Sequence, residues 1–190
     1  MSTGQNAATK RTILMLLRPD FFKAKLLSEI DKAERKALKT GIPALFRLNG
    51  TSDIDFSEIY RARPESQFYD YSKELSRVRK NNLTNYDLTF SGSMYSTQSR
   101  AALKKAVKSG YRIAVAFNTK NIASDTLQVS SSMASFDKTD LRHLDGNVIG
   151  SLTRKGSNKA DRATEDKNEN SFFITTANLK QFNNIIAIGG

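Results

Sequence analysis

Five short polar clusters hold the residues of this sequence best suited to chemistry: Arg47-Leu48-Asn49-Gly50-Thr51-Ser52-Asp53, Asp70-Tyr71-Ser72-Lys73, Thr89-Phe90-Ser91-Gly92-Ser93, Asn118-Thr119-Lys120 and Thr153-Arg154-Lys155-Gly156-Ser157. Each ends or follows a short apolar run of strand character. Guanidinium and ammonium groups, hydroxyls, and backbone amides freed by glycine are what a phosphate or other anion requires. Arg47, Asn49, Thr51, Asp53, Asp70, Lys73, Ser91, Ser93, Lys120, Arg154 and Lys155 are therefore the candidate lining of one anion-binding pocket. The competing reading is independent turn chemistry, because the same residue types favour loops anywhere. Asp53 and Asp70 leave adjacent strands, and two carboxylates held close do acid–base work or hold a metal; pairing with the lysines is their commoner use.

Other chemistries find less support. The sole histidine, His143, lies in Asp137-Lys138-Thr139-Asp140-Leu141-Arg142-His143, a setting compatible with a metal ligand and more often a surface turn or helix cap. No serine stands in a nucleophile elbow, and no Walker or dinucleotide fingerprint occurs. With no cysteine in the chain, disulfides, thiolate nucleophiles, zinc–thiolate sites and cysteine-held iron–sulfur clusters have no ligands here. No metal and no cofactor are expected.

The clusters form one face only if the strands before them run parallel. From Phe21 to Thr40 the residues Phe22, Leu26, Ile30, Ala33 and Ala37 recur at helical spacing, with Pro19 and Asp20 suited to the first turn and Gly41 and Pro43 to the end. Ala44–Asn49 then reads as a strand, Phe56–Arg63 as a short helix, Gln67–Tyr71 as a strand, Glu74–Lys80 as a helix and Asp87–Phe90 as a strand. Thr97–Ser109 is a helix capped by Thr97 and stopped by Gly110, feeding the strand Arg112–Phe117. Asn121–Ser135 reads as a serine-rich loop, Asn147–Thr153 as a strand, Lys155–Asn170 as a charged, mobile excursion and Ser171–Thr175 as a last strand. Such alternation predicts an α/β fold of strand–helix units, either a partial (β/α) barrel or an open, mostly parallel sheet. In both, ligands bind at the carboxyl ends of the strands.

A length of 190 residues, 38% hydrophobic and 26% charged, suits one domain, read as residues 1–176, with an apolar tail over 177–190. The tail, Leu179 to Ile188, is expected either to pack on the domain or to serve self-association through residues 179–188. No run approaches the ~20 apolar residues of a membrane span, and the first ten residues lack the apolar core of a signal peptide. No membrane partner and a cytoplasmic location follow, in the host cytoplasm if the protein is phage-encoded.

The net charge is +11, and the excess sits in residues 1–40 and 81–120. Arg100, Lys104, Lys105, Lys108, Lys23 and Lys25, on the two stronger predicted helices, are the candidate nucleic-acid surface; solvated helix faces are the alternative.

The order and spacing of Arg47-Leu48-Asn49-Gly50-Thr51-Ser52-Asp53, Phe68-Tyr69-Asp70-Tyr71-Ser72-Lys73 and Leu88-Thr89-Phe90-Ser91 resemble the gene-product-88-like family of uncharacterised phage and plasmid proteins. The likeness continues through Val115-Ala116-Phe117-Asn118-Thr119-Lys120, Asp140-Leu141-Arg142, Val148-Ile149-Gly150 and Lys155-Gly156, spanning about residues 1–175. That family looks like a relative of the radical-SAM type of partial barrel, whose N-terminal cysteines hold an iron–sulfur cluster. The resemblance therefore implies the barrel without the cluster, in a chain that is shortened or starts internally relative to the family.

The function expected is that of a phage or mobile-element protein binding nucleic acid or a phosphorylated ligand through a basic surface and a strand-end pocket, without iron–sulfur chemistry. An enzyme acting on a nucleotide-like or SAM-like small molecule, with Asp53, Asp70 and Lys73 at its centre, and a protein-interaction inhibitor of a host factor are the alternatives.

Overall fold

Gly41 closes the long amphipathic helix in the left-handed region, at φ 68°, where a side chain would be strained. From that stop the chain enters a sheet of six strands, all parallel. The computed structural model describes residues 3–50, 52–129, 133–139, 141–146, 148–156 and 158–189. Its elements are α1 (Thr3–Leu17), α2 (Pro19–Thr40), β1 (Leu45–Phe46), α3 (Ser57–Ala62), β2 (Gln67–Ser72), α4 (Leu75–Lys80), β3 (Tyr86–Gly92), α5 (Thr97–Lys108), β4 (Ile113–Phe117), α6 (Lys120–Val129), β5 (Met133–Ser135), β6 (Ile149–Thr153), α7 (Lys159–Glu165) and α8 (Leu179–Ile186). β1 to β4 lie in sequence order, as in a barrel arc, but β6 inserts between β4 and β5. The expected α/β alternation is thus present, with its last two strands exchanged.

The chain divides into two units. One holds the chain up to Leu48 with Ile54–Phe68 and Leu83–Tyr86. Its core is aromatic: the Tyr60 ring lies 4.1 Å from Tyr86 and 4.7 Å from Phe68, which in turn meets Phe46 at 5.4 Å. Asn85 Nδ2 donates to the carbonyls of Tyr60 and Arg63, both at 2.9 Å, closing the end of α3. Arg63 also donates to Asp31 at 2.7 Å, and this bond holds the Asp31 carboxyl below its ordinary pKa.

The other unit holds Asn49–Asp53, Tyr69–Asn82 and the chain from Asp87 onward. β4 is its centre, with Ile113, Ala114, Val115 and Phe117 all buried, as expected of an inner parallel strand covered on both faces. α5 packs Leu103, Ala106 and Val107 inward. A methyl on Gly92 would come within 2.7 Å of Leu103 Cδ1 and 3.2 Å of Val115 Cγ1, so this glycine allows the close approach of helix and sheet.

Several expectations are corrected here. Ser96 rather than Thr97 caps α5, its hydroxyl accepting the Ser99 amide at 3.1 Å. The stretch read as a loop from Asn121 contains helix α6 and strand β5. Thr119 starts α6 by accepting the Ile122 amide, and Ala123 and Thr126 turn inward. The excursion read over Lys155–Asn170 contains helix α7, begun by Asn158 Oδ1 accepting the Asp161 amide at 2.8 Å. Ser171–Thr175 is not a strand; Ile174 alone forms a parallel bridge, with Phe117. The apolar tail is helix α8, with Phe182, Ile185 and Ile186 buried and Phe182 edge-on to Phe117 at 5.8 Å. Of the apolar side chains in residues 179–188, Phe182, Ile185 and Ile186 are thus used inside the chain, while Ile188 is 40% exposed.

Candidate functional site

The exits of β2, β3, β4 and β6 gather polar side chains as the parallel order requires, but most of those side chains hold one another. Asp70, on β2 and 1% exposed, accepts the Asn49 backbone amide at 3.2 and 3.3 Å and Asn49 Nδ2 at 3.4 Å. Asn49 Oδ1 accepts the Ser52 hydroxyl at 2.8 Å. Asp53 accepts the Ser72 hydroxyl at 2.7 Å and forms an ion pair with Arg77, which also donates to the Asp53 carbonyl. Both carboxylates therefore act as anchors for the loop after β1. Thr51 lies outside the described residues. Arg47 is exposed and belongs to the other unit. Ser91 is half-buried, Ser93 buried, and Lys120 and Lys155 exposed.

A second network stands at the ends of β4 and β6. Asn118, fully buried, donates from Nδ2 to the Arg162 carbonyl at 2.7 Å and to Asp166 at 3.4 Å, and its Oδ1 accepts Arg154 Nη1 at 3.2 Å. Arg162 donates to the Arg154 carbonyl at 3.1 Å. Asp166 accepts the Thr176 amide at 2.9 Å together with the Thr176 hydroxyl. Burial acts to raise the Asp166 carboxyl, but the bonds from the Thr176 hydroxyl, the Thr176 amide and Asn118 outweigh it and hold the pKa below the carboxylate norm.

A folded pKa below the unfolded value, about 3.9, means that this stabilisation is complete above that value and is lost as pH falls through the folded pKa. Hydrogen exchange at the Thr176 amide is accordingly expected to speed up below about pH 4 relative to β4 amides, and Asp166→Asn should remove that pH dependence. Equal acceleration in both places would sink this account of Asp166.

These bonds seat the segment carrying Phe172 and Phe173, two rings 5.4 Å apart at 87°. Ile174 fixes the segment to the sheet, its amide donating to Ala116 at 2.7 Å and its carbonyl accepting the Asn118 amide at 2.9 Å. Lys73, leaving β2, lies 4.8 Å over the Phe172 ring, and Arg154, leaving β6, lies 4.7 Å over the Phe173 ring. The strand-end face is thus an aromatic pair with a cation on each ring. Sequence reasoning missed both rings because it placed them in a strand; the signal available was an aromatic doublet set between Asn170-Ser171 and Thr175-Thr176.

Of the candidate nucleic-acid surface, Lys104, Lys105 and Lys108 are exposed on α5 and Lys25 on α2. Arg100 is tied to the Met94 carbonyl at 2.7 Å and to Asn170 Oδ1 at 3.1 Å. Lys23 pairs with Glu58 and lowers that carboxyl's pKa. The cavity of about 580 Å³ beside Glu34, Leu38 and Ala44 is lined by residues of the other unit alone.

Arg142 and Gly150, from the weaker stretches of the family resemblance, serve the core. Gly150 lies against one side of the Phe136 ring. The fully buried Arg142 guanidinium lies 3.9 Å from its centre, 3.2 Å from the Phe136 carbonyl and 2.9 Å from Asp145. His143 is half-buried beside it, with Nδ1 unpartnered. Among the described residues no three His, Asp or Glu side chains gather where they could hold a metal ion, and the chain offers no cysteine. Its residues do not fit an iron–sulfur cluster.

No curated protein and no solved structure matches the chain. The family model described as Gene product 88 matches residues 1–170, which take in all five strand-end clusters as well as Arg142 and Gly150; the chain belongs to the Gene product 88 family.

Proposed function

We propose that this chain is a nucleic-acid-binding protein of a phage or mobile element, which stacks bases on Phe172 and Phe173 and takes phosphates on Lys73, Arg154 and the exposed lysines. The observation that carries the reading is the placement of one cation over each ring of a half-buried aromatic pair. An exposed cation–π contact is worth about 0.5–1 kcal/mol, whereas a base stacked on an aromatic side chain is worth about 1–3 kcal/mol. A base therefore displaces the exposed Lys73 ammonium from Phe172, and the freed charge meets the adjoining phosphate. Arg154, held by Asn118, keeps its place and presents a fixed donor fork. Lys104, Lys105 and Lys108 add charge of the sequence-independent kind. Binding stands ahead of an acid–base enzyme because Asp53 and Asp70 have their oxygens engaged. Kinship with the radical-SAM barrel is part of the same proposal and extends to the arc of β1 to β4, not to chemistry.

Fluorescence anisotropy with a short single-stranded oligonucleotide tests this. Affinity is expected to fall linearly with log salt, by about 0.7 in log K per phosphate neutralised. Phe172→Ala should weaken binding about 5- to 150-fold with the salt slope retained, while Lys73→Gln and Lys104→Glu with Lys105→Glu should flatten the slope. Absent binding at low salt, or a Phe172→Ala variant that binds as tightly as the parent, would overturn the reading.

A further inference from the structure

Helix α1 leaves an apolar surface in water that a compact protein ordinarily hides. Ile13, Leu16 and Leu17 are 50%, 69% and 72% exposed, and Phe21 just beyond is 56% exposed. Leu14 and Met15 between them are half-buried. The five consecutive apolar residues point all round the helix. A helix of that kind is one that becomes enclosed, whereas a helix resting on a flat lipid surface keeps one polar and one apolar face. Its flanking charges are Lys10, Arg11 and Arg18, and no acid occurs before Asp20.

The same unit carries a receptor of opposite character. The end of α2 and the segments leading into β1 and β2 line an open cavity of about 580 Å³, with Leu38, Pro43 and Ala44 as apolar wall and Glu34 and Glu65 as charges; no cation lines it among the described residues. Leu38, on its rim, is 85% exposed. Apolar helix and apolar groove match, and so do the basic flanks and the acidic lining.

No residue of α1 lines the groove of its own chain. The Arg18 amide donates to the Leu14 carbonyl and the Phe22 amide to the Arg18 carbonyl, both at 2.9 Å, so α1 closes and α2 opens on Arg18, whose backbone at φ −141° and ψ 62° departs from the helix. At 1.5 Å per residue, Glu34 to Gly41 lie roughly 22–33 Å from Pro19 along the α2 axis. We propose that α1 of one copy occupies the groove of a second copy, and that the second copy's α1 returns the contact across a two-fold axis. One helix and one groove per chain make such a pairing closed, because both are used up in the dimer.

The natural absence of cysteine gives a direct test on the full chain. Leu17→Cys and Leu38→Cys variants, distinguished by tags of different mass, are mixed and oxidised; both positions are exposed, so neither change disturbs the core. The expected product is the mixed cross-link between Leu17→Cys and Leu38→Cys chains, exceeding either self-cross-link several-fold. In parallel, sedimentation should show a dimer for the parent chain and a monomer for Leu17→Glu and for Leu38→Glu, with partial re-association when these two are combined, since the pair retains one intact helix and one intact groove. Three results would each overturn the proposal. They are a Leu17→Cys self-cross-link in excess, which means helix against helix; a parent chain monomeric at all concentrations; and a monomer that instead sediments with phosphatidylglycerol vesicles through α1.

Discussion

Gly150→Ala is expected to cost about 3 kcal/mol, the upper end of what overpacking a core costs, and to lower the urea midpoint accordingly. The added methyl would overlap three carbons of the Phe136 ring. That ring has little room to retreat, because it is 2% exposed and the Arg142 guanidinium lies over it, 3.9 Å from its centre. Arg142 is itself held by Asp145 and the Phe136 carbonyl. The strain must therefore fall on the sheet, where Gly150 stands opposite Ala114 of β4 and Ala134 of β5. Shrinking the ring should relieve it: Phe136→Leu destabilises the parent chain but is expected to cost much less in the Gly150→Ala background, a coupling that a double-mutant cycle reads directly. Independent, additive effects would show that the ring is not what confines this position.

The second large effect is expected at Asn118. Its side chain is one donor group and one acceptor serving three elements, the β4 exit, the Arg154 turn and the end of α7. Asn118→Ala leaves the Arg162 carbonyl, the Asp166 carboxylate and the Arg154 guanidinium short of a partner, at about 1–3 kcal/mol for each group that stays buried. Half-burial of these partners lets water meet part of the need, so a total of about 2–3 kcal/mol is expected in urea denaturation. Asn118→Asp keeps the shape but replaces the donor with a charge facing Asp166, and should cost at least as much at neutral pH. Because the same bonds seat Arg154 and the Phe173 segment, oligonucleotide affinity should fall in both variants under conditions where they remain folded. A fully stable Asn118→Ala protein would remove Asn118 from its central place in the network.

Much of the scaffold was legible in the residues. The apolar spacing of α2, its stop at Gly41 and Pro43, and the buried run of β4 dictate their structures locally, and the parallel sheet follows from their alternation. The elements that escaped were those whose cause is not periodicity. α6 begins on the Thr119 hydroxyl and amid serines that favour turns as readily as helices. Phe172 and Phe173 look like strand residues by type, but among the described residues their segment meets the sheet through Ile174 and is otherwise held by side-chain bonds from Asp166 and Asn178 and by the Thr175 hydroxyl donating to the Asn168 carbonyl, all distant or weakly suggestive in sequence. The candidate site shows the same limit. Residue types at the strand ends were readable, including Asn49, Asp70, Lys73 and Arg154. Which of them pair with each other and which cover an aromatic ring depends on tertiary placement that spacing does not encode.

The position of α8 bears on how the molecule comes to be folded. Its Phe182 closes over Phe117, and the helix packs on α5, whose first residue was made more than eighty positions earlier. During synthesis the inner strand β4 therefore waits, with an uncovered face, until about residue 186 has emerged. Contacts so far apart in sequence are slow to form, so the nascent chain passes through a long interval in which its most apolar strand is open to chaperones and to other chains. A ribosome-bound chain stalled before Leu179 should bind more of a hydrophobic-patch dye than the finished protein does.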